Sequence, residues 1–205
     1  QPKLTTGEFY GPNTPSQDTV TMDVVFVGGG PAGLAGAIEL AKLTQQDDTL
    51  NDIEIGVLEK SEELGQHCLS GAIINPVAFR ELFPELSDKD FPFRTKVNKE
   101  KVYLLSKSNA VRIPTPPTMN NKGHYVASIC EMVRFLGDKA EQLGVNLFTG
   151  FPADALLTDG SRIKGVRTTA GGLTKDGKPS PSYLPPTDVL AQVTVLSEGV
   201  RGHLT

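Results

Sequence analysis

Residues 23–33 run Asp23-Val24-Val25-Phe26-Val27-Gly28-Gly29-Gly30-Pro31-Ala32-Gly33, and few folds accommodate such a passage. The run before Gly28 is apolar and β-branched, the pattern of a parallel strand buried on both faces. Pro31 suits the first position of a helix, and the pattern predicts that helix over residues 31–43, with Ala32, Ala35, Gly36 and Ala37 keeping its early turns small. A polar stretch at 44–52 leads to a second apolar run at 53–58, completing a unit of the size expected for a parallel β-α-β crossover.

The spacing Gly28-x-Gly30-x-x-Gly33 is a weak signal alone, but it closes a predicted strand and opens a predicted helix. One glycine permits the tight turn, a second lets backbone amides approach a pyrophosphate, and the third lets helix pack closely on strand. The helix N-terminus then faces the anion. Glu59 ends the second strand, 26 positions after Gly33, with the 44–52 connection absorbing the extra length. A carboxylate there hydrogen-bonds ribose hydroxyls and repels a 2′-phosphate, favouring FAD or NAD over NADP. The competing readings are a purely structural turn and a solvated strand-end Glu; the strand–turn–helix–strand context disfavours both.

A net charge of −4 leaves no basic stripe to neutralise nucleic-acid phosphates or to hold the chain on an anionic membrane by charge alone. Two cysteines, Cys68 and Cys130, are too few for a disulfide framework or for the four thiolates of an iron–sulfur cluster. The longest uncharged run, 24–38, contains five glycines and a proline and falls short of a spanning helix. Residues 1–20 read as a polar tail, and any targeting presequence is expected to lie outside the sequence.

Further along, residues 76–83 predict a short helix and 102–105 with 111–113 a hairpin pair. Ser128 and Glu131 have capping-box spacing at the head of a helix whose apolar stripe is Ile129, Met132, Val133, Leu136, Ala140 and Leu143, closed by Gly144. Strands are expected at 145–148, at 155–158 and 163–168 around Asp159-Gly160, and at 189–196, with 169–187 a flexible excursion. His67 and Cys68 have no partner set nearby and read as structural. Phe79, Leu82 and Phe83 share a helix face, which composition alone assigns to the core, the alternative being a wedge into a bilayer interface. Ser197-Glu198-Gly199 after the last strand is a turn able to bring amides toward a second part of a dinucleotide.

Taken together, several motifs resemble the electron-transfer flavoprotein–ubiquinone oxidoreductases, from Asp23 to Leu204. They are the Gly28 to Gly33 turn, Glu59-Lys60, Gly65-x-His67-x-Leu69-Ser70-Gly71-Ala72, and Pro76-x-Ala78-Phe79-x-Glu81-Leu82-Phe83-Pro84. Arg112-Ile113-Pro114, Met119-Asn120-Asn121-x-Gly123-x-Tyr125 and Leu196-Ser197-Glu198-Gly199-x-x-Gly202-His203-Leu204 complete the set. The resemblance implies FAD held by Gly28, Gly30, Pro31, Ala32, Gly33, Glu59, Lys60, Ser70, Gly71, Glu198 and Gly199. It also implies a 4Fe-4S cluster with ligands outside this stretch, electron-transfer flavoprotein as donor, and ubiquinone as acceptor. Members are monotopic on the matrix face of the mitochondrial inner membrane or on the cytoplasmic side of a bacterial inner membrane. The membrane-contacting segment of the family resembles residues 70–84, which would turn Pro76, Phe79, Leu82 and Phe83 outward.

The sequence therefore predicts an α/β, doubly wound, Rossmann-like FAD-binding domain over 21–205, partial at its C-terminal side, with 65–125 covering the flavin and facing a membrane. Its work is electron transfer, so no general acid, base, nucleophile or metal ligand is nominated. The alternatives are a geranylgeranyl-reductase-like flavin reductase of a lipid and a non-catalytic membrane-associated nucleotide-binding module.

Overall fold

The computed structural model describes residues 16, 18–68, 70–174, 176 and 178–204. Most of the expected tail, and Leu69 of the 65–72 motif, lie outside the described residues. In chain order the elements begin with β1 (Asp18–Val27), α1 (Pro31–Thr44), β2 (Ile55–Glu59), β3 (Gly71–Ile74), α2 (Val77–Leu82) and β4 (Phe93–Lys96). There follow β5 (Val102–Leu105), β6 (Ala110–Ile113), a 3₁₀ turn (Pro117–Met119), β7 (Tyr125–Ser128) and α3 (Ile129–Gln142). The chain closes with β8 (Asn146–Thr149), β9 (Ala153–Asp159), β10 (Arg162–Thr168), β11 (Gly171–Leu173), β12 (Pro179–Leu184) and β13 (Thr187–Leu196). It divides into two compact units, 1–67 with 133–205, and 68–132.

The larger unit is built on a sheet of order β8-β2-β1-β13-β10-β9. Its strands β8, β2, β1 and β13 are mutually parallel, while β10 and β9 run antiparallel. This is the Rossmann-like α/β arrangement that the alternation of strand and helix predicts. Val25, Val27, Leu58, Val166 and Val189 fill the core beside Met22 and Ala191. From α1 the buried residues Leu34, Ala37, Ile38 and Ala41 recur at the three-and-four spacing of one helix face. Burying a side chain such as Leu34 or Ile38, both at 0% exposure, contributes about 1.5–3 kcal/mol each.

Two expectations are corrected here. Residues 18–20, expected in the tail, belong to β1, because β13 is equally long and pairs with it from Asp18↔Thr187 to Val27↔Leu196. The 169–187 excursion contains a β-hairpin, β11 against β12. Beside it Arg167 clamps Asp188, donating from Nε to Oδ1 at 2.6 Å and from Nη2 to Oδ2 at 2.7 Å, while the Ser16 amide donates to Oδ2 at 2.8 Å. Pairing and hydrogen bonding together hold the Asp188 carboxyl below the usual carboxylate range, the Arg167 guanidinium first among the causes.

The smaller unit carries a sheet of order β3-β7-β4, helix α2 and the β5–β6 hairpin. Phe79, Phe83, Phe91, Phe93 and Tyr125 make a chain of ring contacts, edge-on between Phe79 and Phe91 at 5.4 Å and stacked between Phe93 and Tyr125 at 4.8 Å. Phe83, at 1% exposure, is the most deeply buried of them, and Pro76 is buried as well. This corrects the outward assignment of those two, whose side chains keep almost no exposed surface to present to a bilayer. Phe79 and Leu82 are half-buried, and Phe79 also meets Phe93 edge-on at 5.6 Å. Ser128 ends β7 directly before α3, and the Glu131 carboxylate accepts from Arg94 at 2.5 Å.

Candidate functional site

The turn between β1 and α1 lies at the carboxyl ends of three adjacent parallel strands, β2, β1 and β13. In open α/β sheets ligands bind outside those ends, where the strand order reverses. The chain leaves β1 toward β2 on one side and returns as β13 on the other, so the reversal falls at this turn.

Each glycine has its own reason. Gly28 sits at φ +112°, and a Cβ there would stand 2.5 Å from the Ser197 carbonyl oxygen. A Cβ on Gly33 would collide with the Gly28 carbonyl oxygen and meet the Ser197 hydroxyl. Gly30 is different: a Cβ would meet nothing within 4 Å, and its backbone at φ −81° is open to any residue. The protein thus leaves free space beside Gly30, where a phosphate chain would pass.

Helix α1 starts at Pro31 with Gly30 as its cap, no side-chain cap bond and no acidic residue in its first turn. Its first amides therefore keep their positive end for an external anion. Glu59 stands beside the turn, its Oε2 accepting from the Gly29 amide at 3.0 Å. Its Oε1 accepts from the Ser61 amide at 2.9 Å and hydroxyl at 2.6 Å. The carboxylate is held in place by the loop it serves, with acceptor capacity left for a ribose hydroxyl.

Ser197 and Ser61 are the residues that sequence reasoning missed as parts of the site. The Ser197 amide and hydroxyl both donate to the Val27 carbonyl at 2.9 Å, and the Gly28 carbonyl lies 3.2 Å from that hydroxyl. A serine next after a strand that ends beside a glycine turn was the available signal.

The structure brings Gly28, Gly30, Pro31, Ala32, Gly33, Glu59 and the β13 end together. Pro31 and Ala32 are exposed at the helix mouth, and Lys60 is exposed next to Glu59. Glu198 turns inward on its own loop, accepting from the amides of His203 at 3.1 Å and Leu204 at 2.9 Å, with Gly199 at φ +81° between. Ser70 and Gly71 belong to the smaller unit, where the Ser70 carbonyl accepts from the Ile129 amide at 3.1 Å and Gly71 opens β3. Among the described residues, no group of three or more His, Cys, Asp or Glu is disposed to hold a metal ion.

No family model matches the chain. It is 42% identical over 190 residues to an electron transfer flavoprotein-ubiquinone oxidoreductase of Oryza sativa subsp. japonica, covering 92% of this chain and 32% of that protein. It is 41% identical over 197 residues to a probable electron transfer flavoprotein-ubiquinone oxidoreductase of Acinetobacter baylyi, covering 93% and 34%. The chain thus spans about a third of the length of the curated relatives it matches. Among solved structures, a geranylgeranyl bacteriochlorophyll reductase-like protein from Thermoplasma acidophilum aligns with a TM-score of 0.59 at 20% identity, over 88% of this chain and 40% of that one. A myxobacterial chondrochloren halogenase, described as FAD-dependent, aligns with a TM-score of 0.55 at 17% identity, over 89% and 38%. At such identities these two show the shared fold.

Proposed function

We infer that the chain belongs to the electron transfer flavoprotein-ubiquinone oxidoreductases and forms the part that grips FAD. Identity of 41–42% to its relatives supports the family, and the observation that carries the grip is the turn itself: Gly28 and Gly33 are packed against Ser197 while the space beside Gly30 stays open. In this reading the amides of Gly30, Ala32 and Gly33 receive the pyrophosphate and Glu59 receives the ribose. Lys60 and the Glu198-Gly199 turn complete the larger unit's contacts to the dinucleotide. FAD supplies the capacity to exchange one or two electrons, which a flavoprotein donor and a quinone acceptor both require. The chain's own residues bind and orient the cofactor; none moves a proton in this account. The 4Fe-4S cluster, its ligands and most of the quinone site belong to the part of the family that this chain does not span.

The electrons come from reduced electron-transfer flavoprotein and pass to ubiquinone at a membrane surface, the inner mitochondrial membrane on its matrix side or a bacterial inner membrane on its cytoplasmic side. No helix among the described residues is long and apolar enough to cross a membrane. The apolar surfaces that support attachment are the half-buried Phe79 and Leu82 of α2 and the β5–β6 hairpin. Leu104 is 62% exposed, Leu105 79% and Val111 60%. Leu104 pairs with Val111, and Val102 with Ile113, so one hairpin face is wholly aliphatic. Flanking Lys99, Lys101, Lys107 and Arg112 suit an anionic bilayer surface.

The test is the absorbance spectrum of the complete protein followed by low-temperature EPR after reduction. Flavin bands with a reduced-cluster signal, then turnover with reduced electron-transfer flavoprotein and a quinone, are expected. Flavin without a cluster in anaerobically purified protein would shift the reading to a lipid reductase. A protein without flavin would leave a binding module.

A further inference from the structure

The spacing of the glycine motif leaves position 29 open to any residue, yet the chain has glycine there too. A Cβ on Gly29 would stand 2.9 Å from the Glu59 Cβ and 3.0 Å from Glu59 Oε2. The bare backbone lets the Gly29 amide come up to that oxygen, to which it donates at 3.0 Å. On the other oxygen, Oε1, Ser61 donates twice, from its amide at 2.9 Å and from its hydroxyl at 2.6 Å. Ser61 is only 4% exposed, and its carbonyl accepts from the Gly150 amide at 2.8 Å, so the donor is itself fixed.

A carboxylate offers about four lone-pair positions, shared equally between its oxygens. Ser61 fills both positions on Oε1, and Gly29 fills one of those on Oε2. A single position is left, and it is on Oε2. A ribose presents two neighbouring hydroxyls, and a carboxylate that clasps both needs a free position for each. Opening a second one on Glu59 would break a bond from the buried Ser61 hydroxyl and leave that donor without an acceptor, which is costly away from water.

We propose that Ser61 is a positioning residue that makes Glu59, through Oε2, the reader of one hydroxyl of the adenosine ribose rather than two. The inference rests on the FAD reading above and deepens it from ribose recognition to the atom that performs it. Ser61 acts through Glu59 and does not itself meet the cofactor. Its two bonds hold the carboxylate before the cofactor arrives, so little ordering of the Glu59 side chain remains to oppose binding. The two ribose hydroxyls are therefore unequal to this protein.

The experiment follows flavin fluorescence quenching as the complete protein, freed of flavin, binds FAD or FAD lacking the 2′ or the 3′ hydroxyl of its adenosine ribose. One deoxy analogue should bind about tenfold or more weakly than FAD, the loss expected for one hydrogen bond to a charged group, and the other within about threefold. Equal losses for the two analogues would overturn the proposal, because both hydroxyls would then be read. No loss for either would overturn it as well. Ser61→Ala should bind FAD several-fold more weakly and bring the two analogues within about threefold of each other, since a released Oε1 can accept the second hydroxyl. Ser61→Thr keeps the hydroxyl and should restore both the affinity and the inequality. A Ser61→Ala protein that lowers the urea midpoint yet discriminates the analogues as the wild type does would make Ser61 a structural residue only. A wild type that binds neither FAD nor its analogues would overturn the FAD reading itself, whereas FAD bound with equal analogue losses would overturn only the single-hydroxyl inference.

Discussion

Gly30 and Gly33 lie three positions apart in one turn, and they fail in opposite ways when substituted. A Cβ at Gly33 runs into the Gly28 carbonyl and Ser197, so Gly33→Ala should destabilise the protein by about 1–3 kcal/mol, measured by urea unfolding of flavin-free protein. A side chain at Gly30 meets only open space and an ordinary backbone, so Gly30→Val should change that stability by less than about 1 kcal/mol. The same variant should purify without flavin, because the valine occupies the path of the phosphates. Normal flavin content in Gly30→Val would remove the turn from the cofactor site. A second residue-scale case is Asp88, whose carboxyl Arg80 and then Tyr125 hold at about 2, below its ordinary 3.8. A lowered folded-state value means the contribution of this group is complete above about pH 4 and disappears as pH falls through 2. In an NMR titration Arg80→Ala should move the Asp88 midpoint back toward 3.8; no movement would show that the ion pair is not what holds it.

Among the elements, β1, α1, β2 and β13 were legible in the sequence because each carries a long, unambiguous pattern. Val24 to Val27 is continuously apolar, and Leu34, Ala37, Ile38 and Ala41 keep helical spacing. The sheet β3-β7-β4 was not legible: its strands have four residues each, and only Ala127 among them is buried. Such strands are specified by their partners rather than by an alternation of their own. Helix α2 shows the limit from the other side. Its six residues gave the right helix, but the fate of Phe83 just beyond it depends on Phe91, eight positions away. Phe83→Asp should therefore unfold the smaller unit rather than merely weaken attachment to a membrane, with loss of near-ultraviolet dichroism. A folded Phe83→Asp protein with impaired vesicle binding would return that ring to the lipid. The bonds that Ser197 makes to the glycine turn were illegible for a similar reason, though its place just after a strand was not, since its partners are 169 and 170 positions distant.

At the scale of the molecule, a net charge of −4 coexists with a locally basic hairpin, so attraction to an anionic surface is directional rather than general. The two units contribute separately, one a dinucleotide grip and the other an apolar hairpin with its charged base. The glycine turn, moreover, is made early and finished late. Val27 and Ser197 are 170 residues apart, which at about 5–20 residues per second puts roughly 10 to 30 s of synthesis between them. Until β13 leaves the ribosome, β1 has only β2 to lie beside and its turn lacks the serine that locks it. Chains stalled with β13 still inside the exit tunnel should therefore hold no flavin, as measured by flavin fluorescence anisotropy; flavin on such chains would show that the turn forms without its serine. A cell that starves such a protein of riboflavin during translation withholds nothing the nascent chain could use. The moment of need comes no earlier than the entry of β13 beside β1.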